Sequence, residues 1–260
     1  MSKIDQNMSR PEVSVIVCTR NRAEKIEGCL NSIRIASDAC PGISVEIVVV
    51  DNGSSDGTSR VVSAWVFENS AVSANLIFEP RVGLSRARNA GIRASRGDIL
   101  IFTDDDCRLS PDYIEIAVYL HKSDIKPSVR GGRVLLGNSE DIAFTVKLDR
   151  TPAAMDSKTF PGGFLLGCNI TLKRDLAEDL GGFDQRFGPG TGIRSAEDTE
   201  YLYRAYLKGV DVLFDPALIV YHFHGRTDVS SIKKLFFDYN IGNGALYAKY
   251  ATASPRILKQ

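Results

Sequence analysis

An α/β fold built on a mostly parallel sheet is what this sequence predicts, and three observations carry the prediction. Short β-branched runs alternate with helical patterns over the first hundred residues. Every polar cluster in that stretch follows a strand pattern. Of the 260 residues, 43% are apolar, enough to fill a sizeable core. In chain order, Val13 to Cys18 reads as a strand, Glu24 to Ala36 as a helix and Val45 to Val50 as a second strand. A helix from about Thr58 to Phe67, a strand near Ala74 to Phe78, a helix from Leu84 to Ala94 and a strand from Ile99 to Thr103 complete the series.

Beyond Cys107 the pattern changes. A helix from Pro111 to His121 is expected, with Ser110 as its cap, followed by a strand around Val129 to Leu136. Phe164 to Leu172 reads as a buried strand and Ala196 to Lys208 as a helix. Two short strands, Val210 to Phe214 and Ala217 to Tyr221, precede a last helical segment from about Ser230 to Lys249. No Pro- or Ser-rich linker interrupts the chain, so residues 11–227 are read as one domain of two lobes, 11–107 and 108–227, with 228–260 as a C-terminal helical segment.

The 32 basic and 32 acidic residues cancel, which leaves no electrostatic footprint for nucleic acid; any anionic ligand must be met by local charge. No apolar run approaches the roughly 18 to 20 residues that span a bilayer, and the polar start Met1 to Asn7 lacks the apolar core of a signal peptide. A cytoplasmic protein is the expectation. The five cysteines are odd in number and widely spaced, without a C-x-x-C pair, and are expected to be reduced thiols. Cys18 and Cys168 should pack in the core, and Cys107 is expected to be a partly exposed neighbour of the acidic run before it.

Ligands of open α/β sheets gather outside the carboxyl ends of the strands. Four loops fall there: Thr19 to Arg22, Asp51 to Gly57, Glu79 to Gly83, and the triplet Asp104-Asp105-Asp106. Three adjacent carboxylates repel one another unless something cationic shares the site, and hard oxygen ligands suit Mg²⁺ or Mn²⁺. A solvated acidic turn before a helix is the rival reading of the triplet, and the triplet alone does not separate the two. Asp51 closes a buried strand, where its carboxylate can accept hydrogen bonds from a base or ribose; Asn52-Gly53 and Asp56 fit turn and capping chemistry. Arg81, Arg86 and Arg88 cluster where a helix begins, an arrangement suited to a diphosphate, although at least one of Arg86 and Arg88 is expected to be an ordinary surface residue. Neither G-x-G-x-x-G nor G-x-x-x-x-G-K-[ST] is present. Glu197-Asp198 at a helix start is, taken alone, dipole complementation, and His222 and His224 at a strand end are, taken alone, packed residues.

Taken together, six segments resemble glycosyltransferase family 2, whose members have the GT-A fold and use nucleotide-diphospho-sugars. They are Val13 to Arg22, Val48 to Thr58, Gly83 to Gly91, the Asp104 to Asp106 triplet, Gly181 to Asp184 and Glu197-Asp198, in the order the family shows. The resemblance implies a Rossmann-like, mostly parallel sheet with a nucleotide-sugar-binding half over 11–107 and a smaller acceptor-binding, catalytic half over 108–227. It implies that Thr19, Arg22 and Asp51 hold the nucleoside, most commonly uridine. Arg81 and Arg88 would lie near the base or phosphates, with Asp104 and Asp105 on the nucleotide side of a DxD-like motif. Asp106 would be the direct ligand of Mn²⁺ or Mg²⁺. One of the two histidines, His222 by preference, would sit beside the metal. Glu197 and Asp198 match the family's catalytic pair, with Asp198 as general base.

The implied activity is metal-dependent, inverting transfer of a sugar, most commonly from a UDP-sugar in that family's usage, to a glycan or lipid-linked acceptor in polysaccharide or glycolipid synthesis. A non-catalytic nucleotide-sugar-binding assembly protein is the alternative. A nucleotidyltransferase would need a glycine- and lysine-rich loop after the first strand, which Thr19 to Arg22 is not. Segment 126–192 carries no motif assignable to an acceptor. In the last helix, Leu235 to Phe237, Leu246 and Tyr247 lie among Lys233, Lys234 and Lys249. Burial against its own domain is the first expectation for this helix, and peripheral association with the inner face of a membrane is the second.

Overall fold

The computed structural model describes residues 10–252; Met1 to Asn7 and the last residues of the expected C-terminal segment lie outside them. The first half runs β1 (Val13–Thr19), α1 (Ile26–Asp38), β2 (Val45–Asp51), α2 (Thr58–Glu68), β3 (Ser73–Phe78), α3 (Leu84–Ala94) and β4 (Ile99–Asp104). The second runs β5 (Cys107–Leu109), α4 (Tyr113–Ser123), β6 (Ser128–Leu136), β7 (Ala153–Ala154), β8 (Ile170–Lys173), α5 (Arg174–Leu180), α6 (Glu197–Leu207), β9 (Asp211–His222) and α7 (Val229–Tyr250).

One sheet spans both halves in the order β3-β2-β1-β4-β8-β6-β9-β5, with β7 paired to β9 beside this path. β3, β2, β1 and β4 are parallel, as their β-branched runs predict for strands covered on both faces. The chain steps outward from β1 to β3 and then returns to β4 on the other side of β1, which opens a crevice at the carboxyl ends of β1 and β4. The register fixes what borders it: Thr19 lies opposite Asp51, and Cys18 opposite Asp104.

Two apolar layers sandwich the sheet. One joins Ile26, Leu30 and Ile33 of α1, Trp65 of α2 and Tyr113 of α4 to Val15, Val17 and Ile101. The other joins Ala87 of α3, Leu176 of α5 and Tyr201 of α6 to Ile16, Val50 and Phe102. A third, smaller cluster docks α7 on α6 through Tyr203, Leu246 and Tyr250. Buried Glu200 ties the same junction, accepting from Lys249 Nζ at 2.7 Å, the Tyr250 hydroxyl at 2.7 Å and Arg204 Nε at 3.1 Å. α7 is therefore packed on its own domain. Among the described residues, no helix is long and apolar enough to cross a membrane.

Several expectations change. Strand structure in the 164–172 segment is confined to β8; the preceding residues turn inward to the site instead. The two strands expected around Pro216 are a single strand, β9, whose pairing with β6 shifts register where the proline cannot donate to the ladder. Ser110 does not cap α4: its hydroxyl donates to Asp112 Oδ1 at 2.6 Å, and the helix starts two residues beyond the expected proline position. Asp56, by contrast, accepts from the Thr58 amide at 2.9 Å as a helix start requires. All five cysteines are free thiols and buried, Cys107 completely, which corrects its expected partial exposure.

Candidate active site

The crevice opens into a cavity of about 640 Å³ between the carboxyl edge of β1 and β4, the 160–167 loop, the start of α6 and the inner side of α7. Thr19, Arg22, Arg88, the aspartate triplet, Glu197, Asp198 and His222 all line it. Asp51 and Arg81 do not. Asp51, 1% exposed, accepts from the Ser54 amide at 2.8 Å and from the Ser59 hydroxyl, so it organises the loop after β2. Arg81 points outward and forks onto Glu79 at 3.0 and 3.1 Å. Arg86 binds Gln185 and the Val82 carbonyl, matching the expectation that one of the two helix arginines serves the surface.

The cations demanded by the triplet are supplied by side chains from three separate elements. Arg88 of α3 reaches Asp104 at 3.4 Å, Arg22 reaches Asp105 at 3.3 Å, and His222 at the end of β9 reaches Asp106, Nε2 to Oδ1, at 3.3 Å. Burial, with the charge of Asp106 beside it, pushes the Asp105 carboxyl up to about 7. Burial also raises the Asp104 carboxyl, against the pull of Arg88. At Asp106 burial is outweighed by the His222 hydrogen bond and by the charges of His222, Arg22 and Lys25, which hold its carboxyl down at about 2. The same bond overcomes burial at His222 and pushes the imidazole up to about 9. Asp106 is thus the triplet member most firmly held ionised.

His224 follows the end of β9, turns away to Asp141 at 3.6 Å and accepts from the Arg226 amide. Of the two histidines, only His222 reaches the cavity. Donor atoms of Asp106, Cys107 and His222 lie within 4.8 Å of one another. Burial keeps the Cys107 thiol protonated, well above its ordinary value, and a soft sulfur ill suits a hard cation. Asp106 and His222 fit a divalent ion: their 3.3 Å separation is close to the ~3 Å between adjacent ligands of an octahedral ion with bonds of about 2.1 Å.

Opposite the triplet, Asp198 sits in the first turn of α6. Its Oδ1 accepts from the Thr199 amide at 2.7 Å and the Thr199 hydroxyl at 3.3 Å, and its Oδ2 from the Gly167 amide at 2.8 Å, leaving a lone pair on Oδ2 for a substrate proton. Glu197 beside it is turned to Arg88, Oε1 to Nη1 at 3.0 Å, and burial with the neighbouring Asp198 charge raises its carboxyl. Arg88, its side chain 3% exposed, also donates to the Gly167 carbonyl at 3.1 Å, so one guanidinium ties the triplet, the catalytic-pair candidate and the 160–167 loop together. A Cβ on Gly167 would stand 2.7 Å from Arg88 Nη2 and 2.9 Å from Asp198 Oδ2, so any larger residue there would have to displace both side chains. Gly181 to Asp184 is scaffolding for this arginine: Asn89 clamps Phe183 by bonds of 2.7 and 2.9 Å, and the Phe183 ring lies under Arg88.

Reading the sequence missed Asn52, Arg226 and the inner side of α7. Asn52 donates to the carbonyls of Glu79 and Arg81 and accepts from the Gly83 amide, splicing two loops at the cavity rim. Arg226 lines the cavity without an ion-pair partner among the described residues. Leu235, Tyr239 and Asn243 of α7 form a wall. The Asn-Gly turn reads as mere geometry, and nothing in the pattern of α7 shows which side faces the cavity.

Residues 14–181 match the profile of Glycosyl transferase family 2. Glycosyltransferase AglE of Haloferax volcanii is 30% identical over 239 residues, covering 91% of this chain and 73% of AglE. A glucosyl-dolichyl phosphate glucuronosyltransferase of the same organism is 25% identical over 84% of this chain and 71% of its own length. The mannosyltransferase PcManGT from Pyrobaculum calidifontis, solved with GDP-Man and Mn²⁺, superposes with a TM-score of 0.67 at 24% identity, over 87% of this chain and 61% of that one. TarS of S. aureus, residues 1–349 with UDP-GlcNAc, gives 0.59 at 18% identity over 93% and 67%. The two structural likenesses show the GT-A fold, and the chain spans only about three-fifths of the mannosyltransferase. By its profile match and its AglE relative, this chain belongs to glycosyl transferase family 2, a family of glycosyltransferases.

Proposed function

We propose that this chain moves a sugar from a nucleotide-diphospho-sugar, with UDP-sugars the first candidates, to a hydroxyl of a glycan or lipid-linked acceptor, inverting the anomeric carbon. The observation that carries the reading is the Arg88 bridge, which holds a carboxylate of the metal-type triplet and the Glu197-Asp198 pair on facing walls of one cavity. Nucleotide sugars occupy two of the related structures, one with guanine and one with uracil, and both bases belong in any test.

The acceptor hydroxyl approaches Asp198. As its oxygen bonds to the anomeric carbon, the bond from that carbon to the diphosphate oxygen breaks and the hydroxyl proton passes to the Asp198 carboxylate. Gly167 and Thr199 amides keep that carboxylate in one orientation. Glu197 acts through Arg88 rather than on substrate. Asp106 and His222 would hold Mn²⁺ or Mg²⁺, which supplies charge neutralisation for the departing diphosphate. Arg226 adds a cation to the cavity lining.

Incubation with UDP-, GDP- and dTDP-sugars plus Mn²⁺ should give a thermal shift with one nucleotide class and slow release of nucleoside diphosphate. No stabilisation by any of them overturns the reading. Stabilisation with no turnover across an acceptor panel would leave a non-catalytic sugar-nucleotide binder.

A further inference from the structure

The outer face of α7 carries large apolar side chains without a partner among the described residues. Val229 is 61% exposed and Phe236 and Phe237 are each 58% exposed. Residues 229, 233, 236, 237 and 240 follow helical spacing, so Val229, Lys233, Phe236 and Phe237 share one stripe, with Lys234 at its edge. The opposite side of the helix is spent on the domain through Gly242, Leu246 and Tyr250. Neither Lys233 nor Lys234 has an ion-pair partner among the described residues, while the nearby acids are engaged: Asp228 caps the helix and Asp238 pairs with Arg194. Two aromatic rings flanked by two unpaired lysines make an amphipathic face complementary to an anionic lipid surface, where rings sit at the acyl boundary and ammonium groups meet head groups. The stripe is also continuous with the site. Phe236 belongs both to the outer face and, with Leu235, to the mouth of the cavity holding Asp198.

We propose that this face of α7 rests on an anionic membrane surface and brings the cavity mouth to the head group of a lipid-linked acceptor. The acceptor half of the statement rests on the transfer reading above; the docking half does not. A membrane-bound α7 would deliver a polar head group past Leu235 and Phe236 while the lipid chains stay in the bilayer.

Flotation of the described protein with vesicles of phosphatidylcholine and phosphatidylglycerol (3:1), against phosphatidylcholine alone, tests the docking. Protein should float with the anionic vesicles and be released by high salt. K233Q/K234Q should lower partitioning about 30-fold, at roughly a tenfold loss per 1.4 kcal/mol and about 1 kcal/mol for each lysine near an anionic surface. V229S/F237S should also release it, and both variants should keep the wild-type melting temperature and nucleotide-induced shift. Wild-type protein that stays at the bottom of the gradient overturns the proposal, as does flotation indifferent to both variants. Sedimentation showing a dimer that V229S/F237S dissolves would also overturn it, assigning the face to a second copy. Failure of flotation with intact nucleotide binding sinks the docking and leaves the transfer reading standing.

Discussion

The two walls of the cavity are built by opposite means. On the side proposed for the donor, Thr19 and Asp104 stand at the ends of regular parallel strands, with Asp51 behind them at the end of the next, and the ladder register alone sets the three side by side. On the acceptor side the groups hang from irregular chain fastened by side chains. Asp198 holds the Gly167 amide, Asn169 spans the carbonyls of Arg133 and Leu218, and Ser195 donates to the Asp238 carbonyl at 2.7 Å. Arg194 and Ala196, at φ of 67° and 65°, mark the backbone strain accepted where the chain enters α6. A strand-end site tolerates loss of one side chain, because the sheet keeps the geometry. A site held by cross-links depends on each of them.

The contrast is broken most sharply at the proposed base. Asp198→Asn should cut transfer by about 10²- to 10⁴-fold and leave nucleotide binding intact, read by product release beside a thermal shift. Removing the shared guanidinium comes next. Arg88→Met strands buried Glu197 and should cost about 3 to 5 kcal/mol in denaturant unfolding. Arg81→Ala, on an exposed pair of the donor side, should change stability by no more than about 0.5 kcal/mol.

An effect between those two is expected at Gly242, where an added Cβ would stand 2.1 Å from Ser195 Oγ. Gly242→Ala should cost about 1 to 3 kcal/mol by pushing α7 off the 194–196 turn, seen as faster amide exchange in α7 while β1 to β4 stay protected. Acid should loosen the same junction. Burial alone would raise the Glu200 carboxyl, but Arg204, Lys249 and Tyr250 outweigh it and hold it below its ordinary value. A carboxyl lowered by folding stabilises above its unfolded value, about 4.3, and loses that contribution as pH falls through the folded one. α7 exchange should therefore rise below about pH 4.3 before the donor strands respond, and Glu200→Gln should abolish the difference.

Legibility follows the same division. The strands and loops from Val13 to Asp106 could be read because period-two and period-3.6 patterns are local, and the sheet rule puts their polar ends together. The triplet and the Thr19 to Arg22 loop stand out by that rule and Arg88 by its place at a helix start, whereas the roles proposed for His222 and Asp198 come only from family likeness. Arg81 and Asp51 share the right loops, yet their side chains are taken by Glu79 and by Ser54 and Ser59, which no spacing reveals. The short strand β5 and the joined β9 escaped because their pairing is long-range, α5 because seven residues are too few to show a helical period, and the inward side of α7 because aromatic and lysine residues alternate around the helix.

In the proposed reaction Asp106 and His222 form the metal end of a site whose base is Asp198. The most direct test of this is the thermal shift caused by UDP or GDP with and without Mn²⁺ in the wild type, Asp106→Ala and Asp198→Asn. A Mn²⁺-dependent shift is expected in the wild type and in Asp198→Asn, and none in Asp106→Ala. A Mn²⁺-dependent shift that survives Asp106→Ala would contradict it.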